Sequence, residues 1–138
     1  MSQRFQKTCA AELECLQNYR DFISESCAQN NISDDIVLDL KLAVDEACTN
    51  IIVHGYKDMD PGSIIVSMRI DPDRILVQIT DFGHVFEPVA GLKPDVEAAL
   101  EDRELGGLGL YLIYQTMDDI DYQSSEEGNM LTFTKFIK

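Results

Sequence analysis

The spacing of apolar residues changes along this chain, and each change marks an element. From about Ala10 to Asn30, Leu13, Leu16, Ile23 and Cys27 recur at helical intervals and predict a first helix. Residues 4–9, just before it, suit a short edge strand. Arg20 falls on the apolar stripe, where its stem snorkels or its head pairs with a carboxylate; contact with a partner is the other reading. A second helix opens at Ser33, a good N-cap, with Asp34 and Asp35 in the first turn and Ile32 and Val37 at staple positions. It runs to about Val53 or His54. After the turn at 58–63, "SIIVSMRI" and "RILVQITD" read as two strands joined by Asp71-Pro72-Asp73.

Residues 83–105 break the pattern with two prolines, Gly91 and the acidic run "DVEAALEDRE", a candidate short surface helix. A connection of that length in a small domain is usually functional or mobile. "GGLGLYLIYQTMD" then predicts a third helix opened by glycines. Two closing strands follow, about a Glu127-Gly128-Asn129 turn. The order predicts an α+β two-layer sandwich, a mixed, mostly antiparallel sheet covered on one face by helices.

At 138 residues the chain is one domain, 1–138, with a core of its own. A formal net charge of −14 repels phosphate backbones, so direct binding to nucleic acid or to anionic lipid is not expected. A basic protein partner, or a site where Mg²⁺ brings in a phosphate, stays open; the charge also serves solubility alone. Cys9, Cys15, Cys27 and Cys48 show no CxxC spacing, which favours reduced thiols over a disulfide framework or a zinc site. With no signal-type apolar region and no membrane-length apolar stretch, the expected location is the cytoplasm.

Three segments carry candidate chemistry. In "GGLGLYLI" (106–113), exposed backbone N–H groups at a helix start suit an anion, and glycine lets a phosphate approach. A tight loop-to-helix corner explains the glycines equally. The run is neither a Walker A loop nor the dinucleotide fingerprint. In "DEACTN" (45–50), Ile36, Leu40, Ala43, Ala47 and Ile51 form the apolar stripe, with Glu46 and Asn50 one turn apart at its border. Glu46 suits a general base and Asn50 offers an oxygen to a hard cation, unless the two are a plain surface pair. His54, at the helix end, reads as a hydrogen-bonded structural residue. In "DFGHVFEP" (81–88), Asp81 ends an apolar strand, where a buried carboxylate needs a donor such as an adenine amino group. The alternative is that Asp81 caps its own turn. Gly83 lets flat groups approach the backbone.

Taken in order, Glu-x-x-x-Asn on a helix, Asp-x-Gly at a strand end, a long loop and Gly-Gly-x-Gly on a helix resemble the Bergerat-type (GHKL) ATP-binding fold of histidine kinases and Hsp90. "DEACTNIIVHGY", "DFGHVFEP", "GGLGLYLI" and "MDDIDY" look most like the small bacterial anti-sigma factor serine kinases. The resemblance spans about residues 5–138. It implies ATP and Mg²⁺ as cofactors, with Glu46 the general base and Asn50 the Mg²⁺ ligand. Asp81 would accept from adenine, with Gly83 beneath the ring. Gly106, Gly107 and Gly109, with Leu108 and Leu110 in the same segment, would hold the β- and γ-phosphates. Residues 87–105 would form the ATP lid, and Arg103 would reach the γ-phosphate. Asn129 stands where the family usually has a threonine near the adenine, and asparagine still donates and accepts. The implied function is a homodimeric kinase that binds a sigma factor and phosphorylates a serine on an anti-sigma-factor antagonist. A nucleotide-dependent switch without turnover and a scaffold that binds no nucleotide are the competing readings.

Overall fold

The structure, a computed structural model, describes residues 2–84, 113 and 115–137. β1 is Gln3–Ala10, and a 3₁₀ turn at Leu13–Cys15 leads into α1, Leu16–Ala28. α2 covers Asp34–Asn50 and continues as a π-helical turn, Ile51–Gly55. β2 is Ser63–Ile70, β3 Arg74–Asp81, β4 Asp119–Ser125 and β5 Gly128–Phe136. The strand order is β1-β2-β3-β5-β4, and each of these pairings is antiparallel. The expected sandwich is therefore present, with a fully antiparallel rather than mixed sheet among the described residues.

Period-2 alternation puts Ile64, Val66, Met68 and Ile70 of β2 on one face with Ile75, Val77 and Ile79 of β3 and Leu131 and Phe133 of β5. Tyr19 and Ile23 of α1 and Leu40, Val44, Ala47 and Cys48 of α2 bury against that face. The same alternation carries Asp81 and Asn129 inward, at the ends of their rows, and both are buried. Apolar patterning alone thus delivers two polar side chains to the helix-covered face.

Several boundaries move. The first helix starts six residues later than predicted, because Ala10 pairs with Ser63 in β1 and the chain then turns through the 3₁₀ segment. Ser33 has the extended backbone of an N-cap, yet its side chain makes no capping bond; Ile32 and Val37 do pack against the core. The last hairpin turns at Glu126-Glu127, so Asn129 belongs to β5, and Gly128 carries the positive φ of 125°. Arg20 holds Asp45 through a two-pronged ion pair, Nε to Oδ1 and Nη2 to Oδ2, each 2.9 Å. Lys135 Nζ donates to the Thr116 carbonyl at 2.6 Å and pairs with Asp39 at 3.3 Å, tying β5 to α2 and to the described end of the third helix. Cys9, Cys15, Cys27 and Cys48 are free thiols, as expected.

Candidate functional site

Glu46 and Asn50 lie on the last two turns of α2. The sandwich covers Asn50 almost completely (4% exposed), more than its place at the stripe border predicts, while Glu46 stays half-buried. Burial pushes the Glu46 carboxyl above its ordinary range, helped by neighbouring Asp45, and the nearby Asn50 amide offsets part of this. That approach falls short of a well-formed hydrogen bond, and among the described residues Asn50 Nδ2 is buried without a partner. A buried donor left unpaired costs about 1–3 kcal/mol, so Asn50 Nδ2 suits an acceptor beyond the described residues. Glu46 lines a cleft of about 170 Å³ with Leu42, Ala43, Asp45, Thr49, Ile113 and Thr116, between α2 and the end of the third helix.

Beyond Asn50 the helix widens into the π turn, closed by Tyr56 N–H donating to the Ile51 carbonyl at 3.0 Å. Such turns are often found at functional sites. This one delivers the Gly55 carbonyl to the end of β3, where it accepts from His84 N–H at 2.5 Å. The two backbones touch so closely that a Cβ on Gly83 would lie 2.3 Å from Gly55 O and 2.6 Å from its carbonyl carbon. Gly83 thus has a packing reason to be glycine that its sequence context did not reveal. We expect Gly83→Ala to destabilise the fold by about 2–3 kcal/mol, the cost of forcing backbones apart in a packed seam; a thermal midpoint equal to wild type would contradict the contact.

Asp81, 3% exposed, ends β3 facing the helices. Its Oδ1 accepts from Gly83 N–H at 2.9 Å and from Asn129 Nδ2 at 3.0 Å. The first bond is the turn cap anticipated as an alternative reading, and it leaves the carboxylate inside the site. Burial raises the Asp81 carboxyl, and these two donors pull it back. The register explains the partner, since Asp81 and Asn129 face each other across β3 and β5, and Ser124 faces Asn129 from β4. Ser124 Oγ donates to Asn129 Oδ1 at 2.7 Å, and Asn129 Nδ2 also reaches the Gly83 carbonyl at 3.1 Å. Flipping the Asn129 amide would set its oxygen against a carboxylate and a carbonyl, so the amide has one orientation.

Sequence reasoning missed two supports. Tyr56 OH donates to the Ser63 carbonyl at 2.8 Å and accepts Phe82 N–H at 3.0 Å, bracing the turn after Asp81. Ser124 orients Asn129. Tyr56 was visible only as a member of "HGY", and Ser124 only as a cross-strand neighbour. Tyr56→Phe forfeits both bonds and should cost about 1–2 kcal/mol by thermal or urea unfolding; no change would show that the hydroxyl is dispensable. His54 is half-buried in the π turn. Arg103, Gly106, Gly107, Leu108, Gly109, Leu110 and the 87–105 segment lie outside the described residues.

Nothing in the described donor set forms a group of three or more His, Cys, Asp or Glu side chains able to hold a metal ion. Asn50 is an oxygen ligand of the kind that hard Mg²⁺ accepts when phosphate oxygens and water complete its shell. The residues present fit such a shared ion and do not form a closed protein cage.

Comparison with known proteins points the same way. The profile of the histidine kinase-like ATPase domain matches residues 9–135. A protein named serine-protein kinase RsbW from Bacillus cereus strain AH187 is 32% identical over 146 aligned positions, covering 100% of this chain and 89% of that one. Its namesake from Bacillus mycoides strain KBAB4 is 38% identical over 109 positions, covering 75% of this chain and 66% of the other. Among solved structures, a chain of the SiaB–SiaC complex from Pseudomonas aeruginosa superposes with a TM-score of 0.65 at 12% identity, covering 96% of this chain and 88% of that one. That last likeness concerns the fold.

Proposed function

Because this chain belongs to the histidine kinase-like ATPase domain family, we propose that it is an ATP-dependent serine-protein kinase acting on a protein substrate in a partner-switching system. One observation carries the reading. The Glu46–Asn50 end of α2 and the Asp81–Asn129 end of the sheet are stitched together by the contact of Gly55 with Gly83 and His84. A base, a metal-type oxygen and a purine-type acceptor thereby share one end of the sandwich. Full-length similarity to proteins named serine-protein kinase supports the same conclusion.

In this reading Asp81 accepts from the amino group of adenine, and Asn129 holds the carboxylate in place. Asn50 Oδ1 would hold Mg²⁺, with phosphate oxygens filling the shell and offering an acceptor to Asn50 Nδ2. Held there, the ion would supply charge neutralisation to the transferring phosphoryl group. Glu46, its carboxyl raised by burial, takes the proton of the attacking serine hydroxyl. Gly106, Gly107 and Gly109, with Leu108 and Leu110, would hold the β- and γ-phosphates under a lid at 87–105, and Arg103 would reach the γ-phosphate. Catalysis of this kind is mostly positioning and charge stabilisation.

The partners proposed are a sigma factor, held by the nucleotide-bound protein, and an anti-sigma-factor antagonist that receives the phosphate on serine. The acidic surface argues against nucleic acid as a direct partner. Among the described residues no helix is long and apolar enough to cross a membrane. We place the protein in the cytoplasm as a homodimer. The test is incubation with Mg²⁺, γ-labelled ATP and candidate antagonists, beside pull-downs with and without ATP. Label on an antagonist serine is the expected result. Retention of a partner that depends on nucleotide, with no label transferred, would replace the kinase by a non-catalytic switch.

A further inference from the structure

The four cysteines fall into two kinds. Cys27 and Cys48 are buried in the core, where burial pushes the Cys27 thiol up to about 11 and Cys48 further still. Thiols so placed are inert. Cys9 and Cys15 are only half-buried, and the chain brings them together by a tight local path. After β1 ends, Glu12 N–H donates to the Ala10 carbonyl at 2.8 Å and Cys15 N–H to the Glu12 carbonyl at 2.9 Å. This folds the 3₁₀ turn back onto the strand and brings the Cys15 thiol near enough to that of Cys9 for each to influence the other's ionisation.

Their surroundings differ in a chemically useful way. Asn18, exposed on the first turn of α1, donates from Nδ2 to Cys9 Sγ at 3.2 Å. Lys7, on the same face of β1, adds positive charge nearby. Tyr19 OH donates to the Cys9 carbonyl at 3.3 Å and fixes the backbone beneath it. Burial pushes the Cys9 thiol up, but the Asn18 amide, the Cys15 thiol, the Ala10 backbone and the Lys7 charge together hold it below its ordinary range, while the contact with Cys9 raises Cys15. Of the two sulfurs, Cys9 is the more readily ionised.

We propose that Cys9 and Cys15 form a reversible dithiol–disulfide pair, a redox modification site in which Cys9 reacts first and Cys15 resolves it. With hydrogen peroxide as the oxidant, the Cys9 thiolate attacks one peroxide oxygen. The O–O bond breaks, leaving a sulfenic acid on Cys9 and hydroxide, which takes up a proton to become water. The Cys15 sulfur then attacks Cys9 Sγ. An S–S bond forms, the S–O bond breaks, and the departing hydroxide leaves as a second water with the Cys15 proton. The two thiols have lost two electrons and the peroxide has gained them; a low-molecular-weight thiol reverses the bridge by exchange. The product staples the edge strand to the start of α1.

The sequence makes this directly measurable. Lys7 and Arg20 bracket both cysteines, so trypsin releases them in the single peptide Thr8–Arg20. Treating the full chain with limiting peroxide should convert that peptide to a form lighter by two hydrogens, while Cys27 and Cys48 stay reduced. In Cys15→Ser, dimedone should trap a sulfenic acid at Cys9; in Cys9→Ser, Cys15 should remain a thiol. Asn18→Ala, an exposed change, should slow the first step about threefold to tenfold by removing a donor to the sulfur. Any of three results would overturn the proposal: Cys9 oxidising no faster than Cys27, intermolecular disulfides in place of the bridged peptide, or over-oxidised Cys9 accumulating with Cys15 intact. The readout is mass, so it stands apart from nucleotide binding.

Discussion

Glu46→Gln should lower the rate of phosphoryl transfer to a serine by roughly a thousandfold while leaving Mg-ATP affinity within about threefold, the signature of a lost general base. The substitution keeps the shape of the side chain and its contact with Asn50 but removes the site that receives the proton. The pH dependence follows from the same burial. A base works only when ionised, and Glu46 is raised, so transfer by the wild type should fall on acidification through a range above that of ordinary carboxylates. The variant should lose that limb. Stability moves the opposite way: because the folded-state carboxyl is raised, its charged form weakens the fold above that range and protonation relieves the cost. Glu46→Gln should therefore match or exceed the wild-type thermal midpoint at neutral pH, with the difference shrinking as pH falls. A variant that loses ATP binding along with transfer would mean that Glu46 shapes the pocket and does no proton chemistry.

Asp81→Asn should weaken ATP binding by about a hundredfold, the usual consequence of presenting a donor where a buried site was built to accept. Gly83 N–H and Asn129 Nδ2 both donate to Oδ1. They will keep the amide oxygen of the variant on that side, turning its NH₂ toward the purine amino group. The variant is nearly isosteric and retains both internal bonds, so it should stay folded, which separates lost recognition from lost structure. For the wild type, affinity should drop as acid protonates Asp81, at a pH above the ordinary aspartate range because burial raises it. Asp81→Asn with wild-type affinity would remove the purine end of the account.

The parts of the molecule that were legible in sequence are those where local pattern and tertiary placement agree. "SIIVSMRI" and "RILVQITD" became β2 and β3 without a shifted residue, because an alternating run with one buried face permits a single register. Asp81 was located as the carboxylate ending an apolar strand, which the sequence suggests is apolar on both faces; in the structure one face of β3 is buried, and Asp81 is the last inward position of that row. The start of α1 was misplaced because Ala10 and Ala11 favour a helix locally, while pairing with β2 claims Ala10 for the sheet. Asn129 was identified as a site residue but assigned to a turn. Its place opposite Asp81 depends on a register that no short window contains. The Glu46–Asn50 pair followed from helical spacing, whereas the near-complete burial of Asn50 did not, since the covering comes from the rest of the sandwich. Tyr56 acts through two bonds that bridge β2 and the turn after β3, and Ser124 through one bond across its hairpin, and neither leaves a periodic trace.

The claim on which the rest depends is that the ends of α2 and β3, held together by the contact of Gly55 with Gly83 and His84, take Mg-ATP. Calorimetric titration of Mg-ATP into the wild-type chain measures this directly. The account predicts a saturable site, one per chain, that ADP competes for and GTP does not. A folded protein that releases no saturable heat, or that binds GTP as well as ATP, would contradict it.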